Sequence, residues 1–90
     1  MSAQSAPLRI LYFAWLKDRL GRAEDRLDLP PGVADVASLR AWLQARDPVF
    51  HGIFSAGGRV RAAVNQEFAG DATPVRGGDE IAFFPPVTGG

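Results

Sequence analysis

The 90-residue sequence has no cysteine, one histidine (His51) and one lysine (Lys17). Without cysteine there is no disulfide framework, no thiolate zinc site and no thiol nucleophile. One histidine leaves no imidazole cluster for a metal or an acid–base relay. Charge of one sign is lacking too. Ten basic residues face ten acidic ones, so nothing draws the whole domain toward nucleic acid or anionic lipid. The longest apolar run, Ile10 to Leu16, falls well short of the roughly 20 residues of a bilayer span. Residues 1–7 carry no basic stretch followed by an apolar one, as a secretory signal would. No period of 20–50 residues repeats. The expectation is a cytoplasmic protein with no metal, no membrane and no nucleic acid among its partners.

The sequence does have enough apolar residues for a core, 47% of the chain. Leu8–Ala14 reads as a strand, rich in branched and aromatic residues. Trp15–Leu20 suits one or two helical turns stopped by Gly21. Asp25–Leu29 alternates polar and apolar as a half-buried strand, ended by Pro30-Pro31-Gly32. Asp35–Arg46 is the main helix, with Val36, Leu39, Trp42 and Leu43 on one stripe, Asp35 or Ser38 as cap, and Pro48 limiting its end. Val49–Phe54 is open between a turn and a short helix. Arg59–Asn65, a short piece at Glu67–Ala69 and Glu80–Phe84 complete the strands. Two early strands, one helix and later strands describe an α+β fold, a β-grasp, in which a mixed sheet of four to five strands wraps one main helix. The expected division is a leader over 1–7, a domain over 8–84 and a projecting tail over 85–90.

The end of the sequence carries the most chemistry. A terminal glycine pair, here Gly89-Gly90, arises by chance about once in 200 chains. Pro85 and Pro86 precede it and favour a stiff, extended segment through Val87 and Thr88. Six extended residues reach at most about 20 Å, enough to enter a partner's pocket. Glycines leave an acyl carbon uncrowded and let bare backbone pass a narrow tunnel. A carboxylate becomes electrophilic once adenylated, and a thiol, amine or persulfide can then attack it. A frayed, inert tail is the competing reading.

Apolar residues also exceed what one helix can cover. In the first strand Arg9, Leu11 and Phe13 share one face, and Leu8, Ile10, Tyr12 and Ala14 the other. In the last, Ile81 and Phe83 oppose Ala82 and Phe84. If Arg9 marks the outer face, Leu11, Phe13, Phe84 and nearby Phe68 form an exposed patch suited to a partner. Alternatively, a sheet end or the Val49–Phe54 segment covers them. The other candidates carry less. His51 reads as an ordinary surface histidine, and the serines lack a base. Asp79-Glu80 reads as turn chemistry rather than an acid–base pair. Gly57-Gly58 and Gly77-Gly78 match no phosphate-binding pattern. Arg59, Arg61 and Arg76 read as a solvated face before a basic patch, and Lys17 as solvated before a salt-bridge donor.

Three stretches together resemble the small, sulfur-carrying subunits of molybdopterin synthase: LYFAWLKDRLG at 11–21, AAVNQ at 62–66 and GGDEIAFFPPVTGG at 77–90. Sulfur carriers for thiamine synthesis and for tRNA thiolation share the β-grasp and terminal Gly-Gly. The Phe-Phe-Pro-Pro tail and Ala-Val-Asn-Gln strand end favour the molybdopterin branch. The resemblance implies that the Gly90 carboxylate, with Gly89 behind it, is adenylated with ATP by an E1-like enzyme. A sulfurtransferase would then supply sulfur to give a thiocarboxylate. It implies no bound cofactor and no catalytic side chain of the chain's own. The partner would be the synthase large subunit, in a heterotetramer, where sulfur passes to precursor Z. Phe13, Phe68 and Phe84 match the family's apolar contacts, Lys17 stands in place of a basic residue, and Pro85–Thr88 enter with the tail. Trp15 departs from a commonly polar position. A thiocarboxylate carrier of another pathway, a ubiquitin-like modifier and a docking module with an inert tail remain the alternatives.

Overall fold

The computed structural model describes residues 6–55 and 60–86. Five strands form one mixed sheet: β1 (Leu8–Tyr12), β2 (Glu24–Leu27), β3 (Arg61–Val64), β4 (Glu67–Ala69) and β5 (Glu80–Phe84), in the order β2-β1-β5-β3-β4. β1 runs antiparallel to β2 and parallel to β5, and β3 is antiparallel to both β5 and β4. The helices are α1 (Trp15–Leu20), α2 (Val36–Arg46) and α3 (Val49–Ser55). This is the expected β-grasp.

The core lies between one sheet face and the helices. Leu8, Ile10 and Tyr12 of β1 and Ile81 and Phe83 of β5 are buried there. They meet Val36, Leu39 and Leu43 of α2, Phe50 and Ile53 of α3, and Leu16 of α1. The uncertain segment is thus a helix, α3, because Phe50 and Ile53 give it an apolar side three residues apart. Its rings turn inward, Phe50 tilted against Tyr12 at 6.0 Å and Phe54 edge-on to Phe83 at 5.1 Å.

α2 starts one residue later than its pattern, because Asp35 is its cap. The Asp35 carboxylate accepts from the Ser38 N–H at 2.8 Å, and the Ser38 hydroxyl accepts from the Asp35 N–H at 3.1 Å. Both candidate caps are therefore used, as a reciprocal box with serine in the usual glutamate position. Three strands are shorter than their sequence patterns, β3 among them, since it spans Arg61–Val64 and Asn65 lies in the turn after it. β2 ends at Leu27, with Asp28 and Leu29 outside it, and begins one residue early, at Glu24. β1 stops at Tyr12 because the chain turns at Phe13–Leu16. There Ala14 has φ 58° and ψ −134°, and the Leu16 N–H donates to the Phe13 carbonyl at 3.2 Å. Those angles describe the second residue of a type II′ turn, a place that favours glycine.

Candidate functional site: the outer sheet face at the root of the tail

β-strand parity sorts the second sheet face into two ends. Cross-strand register places Phe68, Ala63, Ala82, Leu11 and Glu24 in one row across all five strands. Toward the end where β5 leaves the sheet, Phe84 lies opposite Arg61. Beside it, the Phe13 N–H donates to the Phe83 carbonyl at 3.1 Å. Toward the other end the face is charged, with Arg9 paired to Glu24 at 3.4 Å and to Glu80 at 3.8 Å, and Arg26 to Glu24 at 3.4 Å. The face is therefore mainly aromatic where the tail begins, with the exposed Arg61 at its edge, and carries a cluster of ion pairs where β5 begins.

This patch is open. Phe68 is 82% exposed and Phe13 48%, and the rings of Phe68 and Phe84 sit 6.0 Å apart. α3 packs on the opposite side of the sheet, so it does not cover them. Ala63 and Ala82 form a low floor between the aromatic rings and Leu11. Phe13 and Phe84 thus share this face as their parity suggested, and the strand register brings Phe68 beside Phe84. Lys17 is exposed at the border of the patch, where it lines a hollow of about 220 Å³ with Leu11, Phe13, Ala14, Ala23 and Glu24. Trp15 is half-buried and carries the Arg19 guanidinium 5.4 Å above its ring.

The turn residues near the face are structural. A two-residue hairpin, Asn65-Gln66, joins β3 to β4, with φ 50° and 69°, the left-handed pair of a type I′ turn. The Asn65 amide donates to Asp79 Oδ1 at 3.1 Å and its Oδ1 accepts from the Glu80 N–H at 3.0 Å. Asp79 Oδ2 also accepts from the Arg76 N–H at 2.8 Å. The Asn of AAVNQ and the Asp of GGDE therefore lock two turns together, and Asp79-Glu80 is turn chemistry.

Pro85 and Pro86 are half-buried at the root of the tail. Val87, Thr88, Gly89 and Gly90 lie outside the described residues, as does Arg59. Arg61 and Arg76 sit at opposite ends of β5 and form no shared patch. His51 is exposed on α3, in the helical layer away from this face. Among the described residues no helix is long and apolar enough to cross a membrane.

One network was not read from the sequence. The Tyr12 hydroxyl donates to Asp25 at 2.8 Å, and Arg22 makes a bidentate pair with the same carboxylate at 2.7 and 2.9 Å. Burial opposes ionisation of Asp25, but the hydrogen bonds from Arg22 and Tyr12 outweigh it and hold the carboxyl below its usual range. Burial, and then Asp25, push the Tyr12 hydroxyl well above the ordinary phenol, so it remains a donor. The alternating Arg-Leu-Asp-Leu pattern of residues 26–29 held no sign that Asp25 would be shared.

Comparison with known proteins agrees with this geometry. Residues 10–90 match the ThiS family. The molybdopterin synthase sulfur carrier subunit of Escherichia coli (strain K12) is 34% identical over 92% of this chain and 99% of its own length. The crystal structure of small archaeal modifier protein 1 from H. volcanii superposes with a TM-score of 0.73, at 29% identity, over 91% of this chain and 99% of that one. A chain from the complex of subunits 1 and 2 of molybdopterin-converting factor from Helicobacter pylori gives a TM-score of 0.61, at 26% identity, over 93% of this chain and 99% of its own. Sequence motifs, sheet topology and relatives converge on one assignment: the chain belongs to the ThiS family of β-grasp proteins, among relatives that include sulfur carrier subunits of molybdopterin synthase.

Proposed function

We propose that this chain is the sulfur carrier of a molybdopterin synthase. The observation that carries the reading is the exposed Phe13–Phe68–Phe84 patch at the root of a tail ending in Gly89-Gly90. An E1-like enzyme adenylates the Gly90 carboxylate with ATP, releasing pyrophosphate. A persulfide on a sulfurtransferase then attacks the acyl carbon and displaces AMP. A second thiol, from that enzyme or a thiol reductant, cleaves the resulting acyl disulfide, leaving a thiocarboxylate on Gly90 and a disulfide on the donor side. In this reading the chain holds no cofactor of its own and supplies no side-chain acid, base or nucleophile; its reacting group is the Gly90 carboxylate and then the thiocarboxylate. Its part is to dock and to present.

Docking is assigned to the large subunit of the synthase. Phe13, Phe68 and Phe84 give the apolar centre and Lys17 a cation at the rim, the usual anatomy of a protein interface. The H. pylori relative is seen in a complex of subunits 1 and 2, which supports a partner of this kind. Pro85–Thr88 carry Gly90 into that partner, where the sulfur is passed to precursor Z. A cytoplasmic location follows for a carrier that depends on ATP and on soluble enzymes.

Intact-mass spectrometry tests the reading. Treated with ATP, an activating enzyme and a sulfur donor, the chain gains about 16 Da at its terminus as sulfur replaces oxygen. Removal of Gly90 abolishes the gain and the transfer to precursor Z while the fold persists. Full transfer by the truncated chain sinks the proposal. The likeness to an archaeal modifier protein favours a second reading, in which a lysine amine of another protein attacks the same adenylate. That reaction yields an amide-linked adduct in place of the 16 Da gain.

A further inference from the structure

Arg19, Arg22 and Arg46 are exposed, and each lays its guanidinium over one aromatic ring. Arg40 of α2 differs. Its side chain is 21% exposed and its guanidinium lies over two rings, Phe54 at 5.1 Å and Phe83 at 5.5 Å. One terminal nitrogen donates to the Val60 carbonyl at 3.0 Å. Its Nε is buried, stands 4.0 Å from Asp71 Oδ1, and has no hydrogen-bond partner among the described residues. A desolvated cation with one incomplete partner is a poor source of stability, and an apolar residue of similar volume is often neutral or better in such a place. Its contacts indicate another use.

Phe83 is where β5 hands the chain to the tail. Its carbonyl is held by the Phe13 N–H, its ring meets Phe54 edge-on at 5.1 Å, and Phe84 and Pro85 follow directly. Among the described residues Arg40 is the one charged group on this ring, and it ties the ring to α2, α3 and the residue before β3. We propose that Arg40 is a positioning residue for sulfur delivery: by clamping Phe83 it fixes the direction in which the tail leaves the sheet. The proposal rests on the sulfur-carrier reading. The lever is long. A swing of about 10° at Phe84 moves a point about 20 Å away, the most that six extended residues can reach, by about 3.5 Å. Misplacement of a reacting group by about 1 Å can slow a step about a hundredfold.

The test uses the full chain as its Gly90 thiocarboxylate, with the large subunit saturating and precursor Z as acceptor. Wild type, Arg40→Met and Arg40→Lys are compared in single-turnover sulfur transfer, in affinity for the large subunit and in urea denaturation. Arg40→Met is expected to keep wild-type stability and to bind within about twofold, yet to transfer sulfur about tenfold more slowly. Arg40→Lys restores part of the rate, since lysine keeps the charge but not the planar stack over two rings. A wild-type transfer rate for Arg40→Met overturns the proposal, as does a rate that falls only in step with stability or affinity. Should Arg40→Met not fold, Arg40→Lys decides: a rate within about twofold of wild type overturns the proposal, and a larger loss at full saturation supports it. Failure of the wild-type thiocarboxylate to deliver sulfur overturns the carrier reading itself.

Discussion

Phe68 offers the sharpest separation of folding from docking. Its side chain is 82% exposed, and its closest ring neighbour, Phe84, is itself only half-buried. Truncating it to alanine in the free chain removes little buried area. The loss of one partly solvated ring pair and some strand propensity should cost below about 1 kcal/mol. In a complex the arithmetic reverses. A phenylalanine exposes about 200 Å² when free, so some 160 Å² here remain to be covered. At about 25 cal/mol per Å² that is an upper bound near 4 kcal/mol. Costs of ordering and imperfect fit reduce it, and the expected loss of affinity is about 2–3 kcal/mol, roughly 30- to 150-fold in Kd. Calorimetric titration of the large subunit with wild type and Phe68→Ala measures the binding side. Urea denaturation of the free chains measures the folding side. A Kd within about twofold of wild type would refute the assignment of this face as the docking surface. So would a stability loss as large as the affinity loss, because Phe68 would then be serving the fold.

The adjacent pair in β5 should split in the opposite sense. Phe83→Ala, at a fully buried ring, should cost about 3–5 kcal/mol of stability, while Phe84→Ala spends most of its effect, about 1–3 kcal/mol, on large-subunit affinity. Equal stability losses in denaturant would contradict the parity of the strand. Ala14→Gly should stabilise the free chain by about 0.5–1 kcal/mol, since relief of the left-handed strain exceeds the added flexibility of glycine. A lower Tm would mean that the turn at Phe13–Leu16 is not strained. Asp25 has a folded carboxyl pKa below its unfolded value, so its contribution is present above about pH 4 and is lost as pH falls through the folded value. Asp25→Asn should therefore flatten the acid limb of a stability–pH curve, and an unchanged slope would count against the Tyr12–Asp25–Arg22 network.

Much of this was legible because short strands state their faces plainly. Alternation in Leu8–Phe13 and Glu80–Phe84 set Phe13 and Phe84 apart from Tyr12 and Phe83, and the register joins them as that pattern implied. Whether the resulting patch was covered could not be read, since cover depends on which side α3 takes. The Val49–Phe54 run has too few residues for its period to choose between turn and helix, and tertiary packing of Phe50 and Ile53 decides it. The end of β1 was missed for a different reason. Ala14 is an ordinary strand or helix residue by composition, and only the packing of α1 against the core demands positive φ there. Arg40 was likewise hidden. In the pattern of α2 it occupies one polar position among several, and its two rings come from elements 14 and 43 residues away in sequence.

The position of β5 explains how a fold this small can hold the root of its tail firmly. Chain ends fray unless they are tied down. Here the last strand lies at the centre of the sheet, hydrogen-bonded to β1 on one side and β3 on the other, and is held there by Ile81 and Phe83. The segment after it meets a different rule. Pro85 and Pro86 have no N–H to give to either neighbour, so the ladder stops on both sides at once and the chain must leave the sheet. Rigid root and unpaired continuation are thus separated by a single residue, Phe84, whose ring lies on the exposed face beside Phe68. A partner that covers this face also receives the start of the tail, so docking and presentation become one event. The missing cysteine fits the same division. With no side-chain thiol in the sequence, the proposed route through a Gly90 thiocarboxylate meets no competing thiol on the chain itself, and the central strand is what holds the root from which that route starts.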